Sequence, residues 1–81
     1  MSKRIHVRYY ALLREQRGCS EEIITTSAYS PSDLYKELQE IHPFSLKPDV
    51  LKIALNDAFA SWNDELKDND TIVFIPPVAG G

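Results

Sequence analysis

Ser30-Pro31-Ser32-Asp33-Leu34-Tyr35-Lys36-Glu37-Leu38-Gln39-Glu40-Ile41-His42-Pro43 is the stretch that decides how this 81-residue chain folds. Ser30 carries a hydroxyl that can accept from the free amides of a helix start. Pro31 suits the first turn, where its missing N–H costs nothing, and Asp33 completes a variant of the capping box. Leu34, Leu38 and Ile41 recur at i, i+4 and i+7, one apolar stripe along about three turns. Tyr35, Lys36, Glu37, Gln39 and Glu40 are expected on the opposite side. Pro43 stops the helix, because the residue before a proline is pushed out of the helical region. Phe44 and Leu46 are then expected to fold back beneath the helix end.

A helix with one apolar stripe needs a second layer to pack on, and the flanking segments supply it. Lys3 to Leu13 reads as extended chain, with Ile5, Val7 and Tyr9 on one side and His6, Arg8 and Tyr10 on the other. Arg14-Glu15-Gln16-Arg17-Gly18 reads as a polar turn, with Gly18 free to take a positive φ. Glu22 to Thr26 is β-branched and returns as a second strand. Beyond the helix, Leu51, Ile53 and Leu55 alternate with Lys52 and Ala54, Asn56-Asp57 is a turn pair, and Ala58 to Trp62 is a short return strand. Asn63 to Asp70 is a polar loop in which Asn69 can take the left-handed conformation. Thr71 to Ile75 closes the set, Ile72 and Phe74 facing one way, Val73 and Ile75 the other. The order β-β-α-β-β-β predicts an α+β fold, a sheet of four to five strands with one helix packed across it.

Length and composition fit one globular unit. A typical domain holds roughly 100–150 residues, so 81 cannot feed two cores. With 43% hydrophobic and 26% charged residues the chain is not of the disordered class. We divide it into a domain over 1–75 and a tail over 76–81. No apolar run approaches the roughly 18 residues that span a bilayer, and the opening Met-Ser-Lys-Arg-Ile-His-Val lacks a secretory apolar block. No membrane association and a cytoplasmic location are expected.

Most catalytic and binding chemistries are excluded. A formal charge of −3 argues against nucleic acid, which needs a basic face to neutralise phosphates. Cys19 is alone, His6 and His42 have no acidic or thiol companions at ligand spacing, and the acidic group Asp64, Glu65, Asp68 and Asp70 lacks the glycine of a calcium loop. No metal site is expected. Glycine occurs only at 18, 80 and 81, so no phosphate-cradling or dinucleotide loop exists. No catalytic residues and no bound cofactor are expected of this chain.

The tail is where the functional signal concentrates. Phe74-Ile75 is followed by Pro76-Pro77-Val78-Ala79-Gly80-Gly81. Two prolines prevent the last strand from continuing and stiffen its exit. Two modest apolar residues follow, then two without side chains, so the tip can enter a channel too narrow for any Cβ. Its chemical handle is the Gly81 carboxylate. An enzyme can join such a carboxylate to AMP, and a thiol, persulfide or amine can then attack the unhindered carbonyl.

In these residues the sequence resembles the small, sulfur-carrier subunit of molybdopterin synthase, a ubiquitin-like β-grasp protein, over essentially its whole length. Val7-Arg8-Tyr9-Tyr10-Ala11-Leu12-Leu13-Arg14-Glu15 matches the family's apolar strand followed by an Ala-x-x-Arg-Glu turn. Ala54-Leu55-Asn56 matches a strand ending in Asn, and Leu66-Lys67-Asp68-Asn69-Asp70 matches a Leu-x-Asp-Gly-Asp turn with Asn in place of Gly. Phe74-Ile75-Pro76-Pro77-Val78-Ala79-Gly80-Gly81 matches the Phe-x-Pro-Pro-Val-x-Gly-Gly ending. A bare Gly-Gly is shared with ubiquitin-like modifiers and the thiamine sulfur carrier, whereas the Pro-Pro-Val lead-in is more specific.

The resemblance implies a cycle. An E1-like adenylyltransferase uses ATP to activate Gly81, a sulfur donor converts the acyl-adenylate to a thiocarboxylate, and the carrier docks on the large catalytic subunit in a heterotetramer. The tail from Pro76 through Gly80 threads into that subunit's active site, and the thiocarboxylate gives sulfur to the pyranopterin precursor of the molybdenum cofactor. A carrier for thiamine or another pathway, or a ubiquitin-like modifier, is the alternative. Tyr10, Phe59 and Ile75 match the family's apolar docking patch, and Arg14 could add a rim salt bridge. Opposite a core Phe74, Ile75 is expected to be exposed. Partial burial at a sheet edge is the competing reading for each, and for Phe59 both readings stand.

Overall fold

A computed structural model describes residues 2–42 and 44–77. Its elements are β1 (Lys3–Tyr9), α1 (Ala11–Arg17), β2 (Glu21–Thr26), α2 (Pro31–Ile41), a single 3-10 turn (Pro48–Val50), β3 (Lys52–Leu55), β4 (Ala58–Ala60) and β5 (Thr71–Ile75). The strands form one mixed sheet in the order β2-β1-β5-β3-β4. β1 and β5 are its parallel central pair, and every other pairing is antiparallel. Strand alternation sends Ile5, Val7, Tyr9, Ile53, Ile72 and Phe74 inward, where they form one core with Leu34, Tyr35 and Leu38 of α2. The fold is the expected α+β architecture. No helix among the described residues is long and apolar enough to cross a membrane.

The helix begins as expected, with the Ser30 hydroxyl accepting from the Asp33 amide at 3.3 Å and Pro31 in the first turn. Its buried face differs from the expected stripe. Ile41 is 68% exposed, whereas Tyr35, expected on the polar side, is fully buried. The inward face is Pro31, Leu34, Tyr35 and Leu38, an i, i+3, i+4, i+7 set. Tyr35 can be buried because its hydroxyl donates to the Leu46 carbonyl at 2.7 Å, while its ring packs 5.1 Å from Phe74 and 5.9 Å from Phe44. Phe44 is buried and Leu46 half-buried, so this segment does fold back beneath the helix end. At His42 the chain is already extended, leaving Ile41 at the helix's last position. Pro43 lies outside the described residues.

The second difference is α1. Extended chain to Leu13 and then a polar turn were expected, but the strand stops at Tyr9 and a seven-residue helix replaces both. Tyr10 is still extended, and Ala11 at φ 52° turns the chain out of the strand. Ala-Leu-Leu-Arg-Glu-Gln-Arg is composed of strong helix formers. Gly18 ends it at φ 88°, its amide donating to the Arg14 carbonyl at 2.9 Å. Leu13 is the one buried residue of this helix. The remaining shifts are small: β2 starts at Glu21, β3 starts at Lys52, and β4 ends at Ala60 instead of reaching Trp62.

Candidate docking face and tail exit

The site is built on the sheet face that α2 does not cover. Registers across the five strands set its rows. Glu21 pairs with Arg8, Arg8 with Val73, Val73 with Ala54, and Ala54 with Phe59. All five therefore share one face, outward because their alternating neighbours Tyr9, Phe74 and Ile53 are core. Ile75, two residues beyond Val73, lies on the same face and pairs with Lys52. Tyr10 follows Tyr9, the partner of Phe74, and so falls beside Ile75 at the end of β1.

The structure thus brings together Tyr10, Phe59 and Ile75, three of the four expected docking residues. Phe59 is 79% exposed and Tyr10 is 42% exposed. Ile75, expected to be exposed, is half-buried, with Lys52 of β3 paired to it on one side and Tyr10, just past the end of β1, on the other. Ala54 and Val73 complete the apolar surface; the period-two alternation of β3 and β5 marks them, but neither small side chain stands out in the sequence. Arg14 is not on a strand of this face: it sits exposed on α1. Phe59, Lys52 and Trp62 also border an open groove of about 310 Å3 at the β4 edge, floored by Leu51, Ile53 and Ala60.

Polar staples hold this face in register. Asn56 and Asp57 take φ 51° and 72°, the paired left-handed conformation of a tight hairpin between β3 and β4. The Asn56 side chain accepts from the Thr71 amide at 3.0 Å and donates to Asp70 at 2.9 Å, fixing the hairpin to the start of β5. The other carboxylate oxygen of Asp70 accepts from the Lys67 amide at 2.8 Å. Asn69 stands at φ 70°, as expected, and its amide donates to the Arg4 carbonyl at 2.7 Å. Asp68 accepts from the Arg4 amide at 2.8 Å. The Asn56 and Asp68-Asn69-Asp70 motifs are therefore structural: they position β5 and its exit.

A second polar cluster lies on the opposite, inner side of the sheet, where it ties α1 to β1 and β2. Glu22 accepts a bidentate pair of hydrogen bonds from Arg17, at 2.8 and 2.7 Å, and one from the Tyr9 hydroxyl at 2.6 Å. The Arg17 guanidinium holds the Glu22 carboxyl below the usual carboxylate range, against the opposing effect of its partial burial. Burial pushes the Tyr9 hydroxyl well above its ordinary value, and pushes Tyr35 up to about 12. These shifts belong to packing, since each group is already partnered. Cys19 is half-buried against the core and is not disulfide-bonded.

From Ile75 the chain leaves the sheet through Pro76, half-buried, and Pro77, exposed. The remaining tail residues named in the sequence, Val78, Ala79, Gly80 and Gly81, lie outside the described residues. The exit is thus at the end of a central strand, next to Ile75 and Tyr10 of the apolar face.

A mixed sheet with a parallel central pair, one long helix across its inner face and a bare outer face is a ubiquitin-like β-grasp domain. The chain belongs to the ThiS family, whose model matches residues 7–81, a family of ubiquitin-fold sulfur carriers. Two solved structures are similar in sequence as well as fold. The first is described as subunit 1 of a molybdopterin converting factor from Pyrococcus furiosus: 30% identity, 94% of this chain and 99% of that one, TM-score 0.76. The second comes from the complex of subunits 1 and 2 of the molybdopterin-converting factor of Helicobacter pylori: 33% identity, 100% of both chains, TM-score 0.64. Small archaeal modifier protein 1 from Methanosarcina acetivorans shares the fold, with a TM-score of 0.79 at 23% identity over 100% of this chain and 99% of that one.

Proposed function

We propose that this chain is the sulfur-carrying subunit of molybdopterin synthase, with Gly81 as the acyl terminus. The observation that carries the proposal is the sequence Pro76-Pro77-Val78-Ala79-Gly80-Gly81, which follows directly on Ile75, where β5 ends at the apolar face. The Helicobacter pylori relative, seen in complex with a second subunit, supports the same reading. A carrier for thiamine or a protein modifier would need only the Gly-Gly, not the Pro-Pro-Val lead-in.

In the proposed cycle an adenylyltransferase binds the outer face and the Gly81 carboxylate attacks the α-phosphate of ATP, releasing pyrophosphate. Sulfide then attacks the acyl-adenylate carbonyl and AMP leaves, giving the thiocarboxylate; a persulfide donor reaches the same product through an acyl disulfide that a second thiol cleaves. The same face docks on the large subunit, which receives the tail in its active site and supplies the catalytic groups. The thiocarboxylate sulfur attacks a carbon of the pyranopterin precursor and displaces an oxygen from it. Hydrolysis of the acyl–sulfur bond leaves the sulfur on the pterin and returns Gly81 to a carboxylate, and a second charged chain supplies the second sulfur of the dithiolene. ATP belongs to the activating partner, and the pterin and the metal belong to the product.

Reconstitution tests the proposal. Chain charged to the thiocarboxylate, mixed with the organism's large subunit and the pterin precursor, is expected to yield the dithiolene product. Chain lacking Gly81 is expected to yield none while melting at the same temperature. Charged chain that restores a thiamine pathway but forms no dithiolene would overturn the assignment.

A further inference from the structure

We infer that the outer sheet face is built for a protein partner carrying carboxylates around an apolar centre, with Arg8 as the residue of this chain that selects it. The inference rests on the proposed reading of this face as the docking face. Its basis is a charge asymmetry. The chain as a whole carries a formal charge of −3. Yet the outward strand positions hold Arg4, Arg8 and Lys52 against one carboxylate, Glu21. Two of those cations border the apolar patch directly, Arg8 beside Val73 and Lys52 beside Ile75.

Within that set Arg8 is distinctive. It sits between Glu21 and Val73 in the row that runs on through Ala54 to Phe59. Glu21, directly across from it, is paired instead with His6 at 2.9 Å. Among the described residues Arg8 has no carboxylate within ion-pair distance, and its guanidinium stands 5.9 Å from the centroid of the Tyr10 ring. Arg8 is half-buried before any partner arrives. Covering the patch strips further water from its guanidinium, which is costly unless a carboxylate replaces that water. A partner with carboxylates there gains a charge-assisted bond, and one without them leaves a buried unpaired charge, so Arg8 discriminates between them. Lys52, exposed and paired with Ile75, extends the same preference toward the tail exit.

The test measures association of wild type, Arg8→Glu, Arg8→Lys and Lys52→Glu with the organism's purified large subunit and, separately, its adenylyltransferase, at low and high salt. Arg8→Glu is expected to weaken binding at least about tenfold, Arg8→Lys about two- to threefold, and high salt to weaken wild type much more than Arg8→Glu. Arg8→Lys and Lys52→Glu are expected to melt with wild type, while Arg8→Glu, which sets a carboxylate opposite Glu21, is expected to melt lower yet remain folded at the assay temperature by circular dichroism, separating docking from folding. Undiminished affinity of Arg8→Glu, or salt-independent wild-type binding, would overturn the inference. So would salt-sensitive binding of a single-stranded oligonucleotide, or self-association of the chain, that depends on Arg8. If the adenylyltransferase shows the Arg8 dependence and the large subunit does not bind wild type, the pathway assignment falls and the inference stands. If neither enzyme binds wild type, both fall.

Discussion

At Phe59 a phenyl ring stands 79% exposed on an edge strand, opposite Ala54. Water already surrounds it in the free protein, so removing the ring forfeits little folding energy. Phe59→Ala is expected to shift stability by no more than about 0.5 kcal/mol, the range of surface substitutions. Affinity for the large subunit is expected to fall by about 2 kcal/mol, as for aromatic anchors in interfaces. Denaturant melts and titration calorimetry measure the two; equal loss in both would make Phe59 a packing residue. Glu22 shows the opposite case. Arg17 depresses its folded-state pKa, so its contribution is present above the ordinary carboxylate range and lost as pH falls through the folded value. Glu22→Gln is therefore expected to cost between about 1 and 3 kcal/mol at neutral pH, between an exposed pair and a buried charged hydrogen bond. The gap from wild type closes in acid. Urea midpoints across pH test this, and a pH-independent gap would contradict the role given to Arg17.

The two helices show which elements are readable from sequence and which are not. α2 announces itself by Ser30, Pro31 and apolar spacing over three turns. Its exact face is harder to read, because Tyr35 resembles an amphipathic surface residue until Leu46 offers its hydroxyl a partner. Ile41 fits the apolar period, but the chain leaves the helix directly after it. α1 spans seven residues, too few for a periodic signal, and it directly follows an alternating strand whose pattern Leu13 continues on paper alone. Only its composition and Gly18 hint at a helix. Leu13 is fully buried, so Leu13→Ala is expected to destabilise the fold by about 2–5 kcal/mol, far beyond a residue in a solvated turn. A loss under 1 kcal/mol by chemical denaturation, roughly the surface range, would contradict the packing of α1. Strand alternation and the Asn56-Asp57 turn make it legible that Tyr10, Phe59 and Ile75 share one side of the sheet, though not that Ile75 is half-buried there. Arg14 lay beyond that logic, since it rides on the helix that alternation could not reveal.

At the scale of the whole molecule, the sheet brings chain-distant parts to one place. β5 lies between β1 and β3, so Tyr10, Ile75 and Phe59 share a face though they come from both ends of the sequence. The polar motifs at Asn56 and Asp68-Asn69-Asp70 fix that arrangement, and the proline pair leads the chain away from it. The core lies on the other side of the sheet, under α2, so exposed positions of the proposed docking face, Phe59 and Lys52, can be altered without loosening the fold. The tyrosines of that core add an alkaline limit. Tyr35 has a folded-state pKa raised to about 12, so its contribution is full below the ordinary tyrosine value and is lost as pH rises through the folded one. Tyr35→Phe is expected to flatten the stability profile in that window, read by alkaline denaturation.

The central claim is that Gly81 carries sulfur. The intact mass of the chain, after incubation with the organism's extract, ATP and a sulfur source, tests it most directly. A gain equal to one oxygen replaced by one sulfur, localised to Gly81 and absent from the chain lacking that residue, is the expected result. An unchanged mass, in an extract shown to charge a known carrier, would contradict the account.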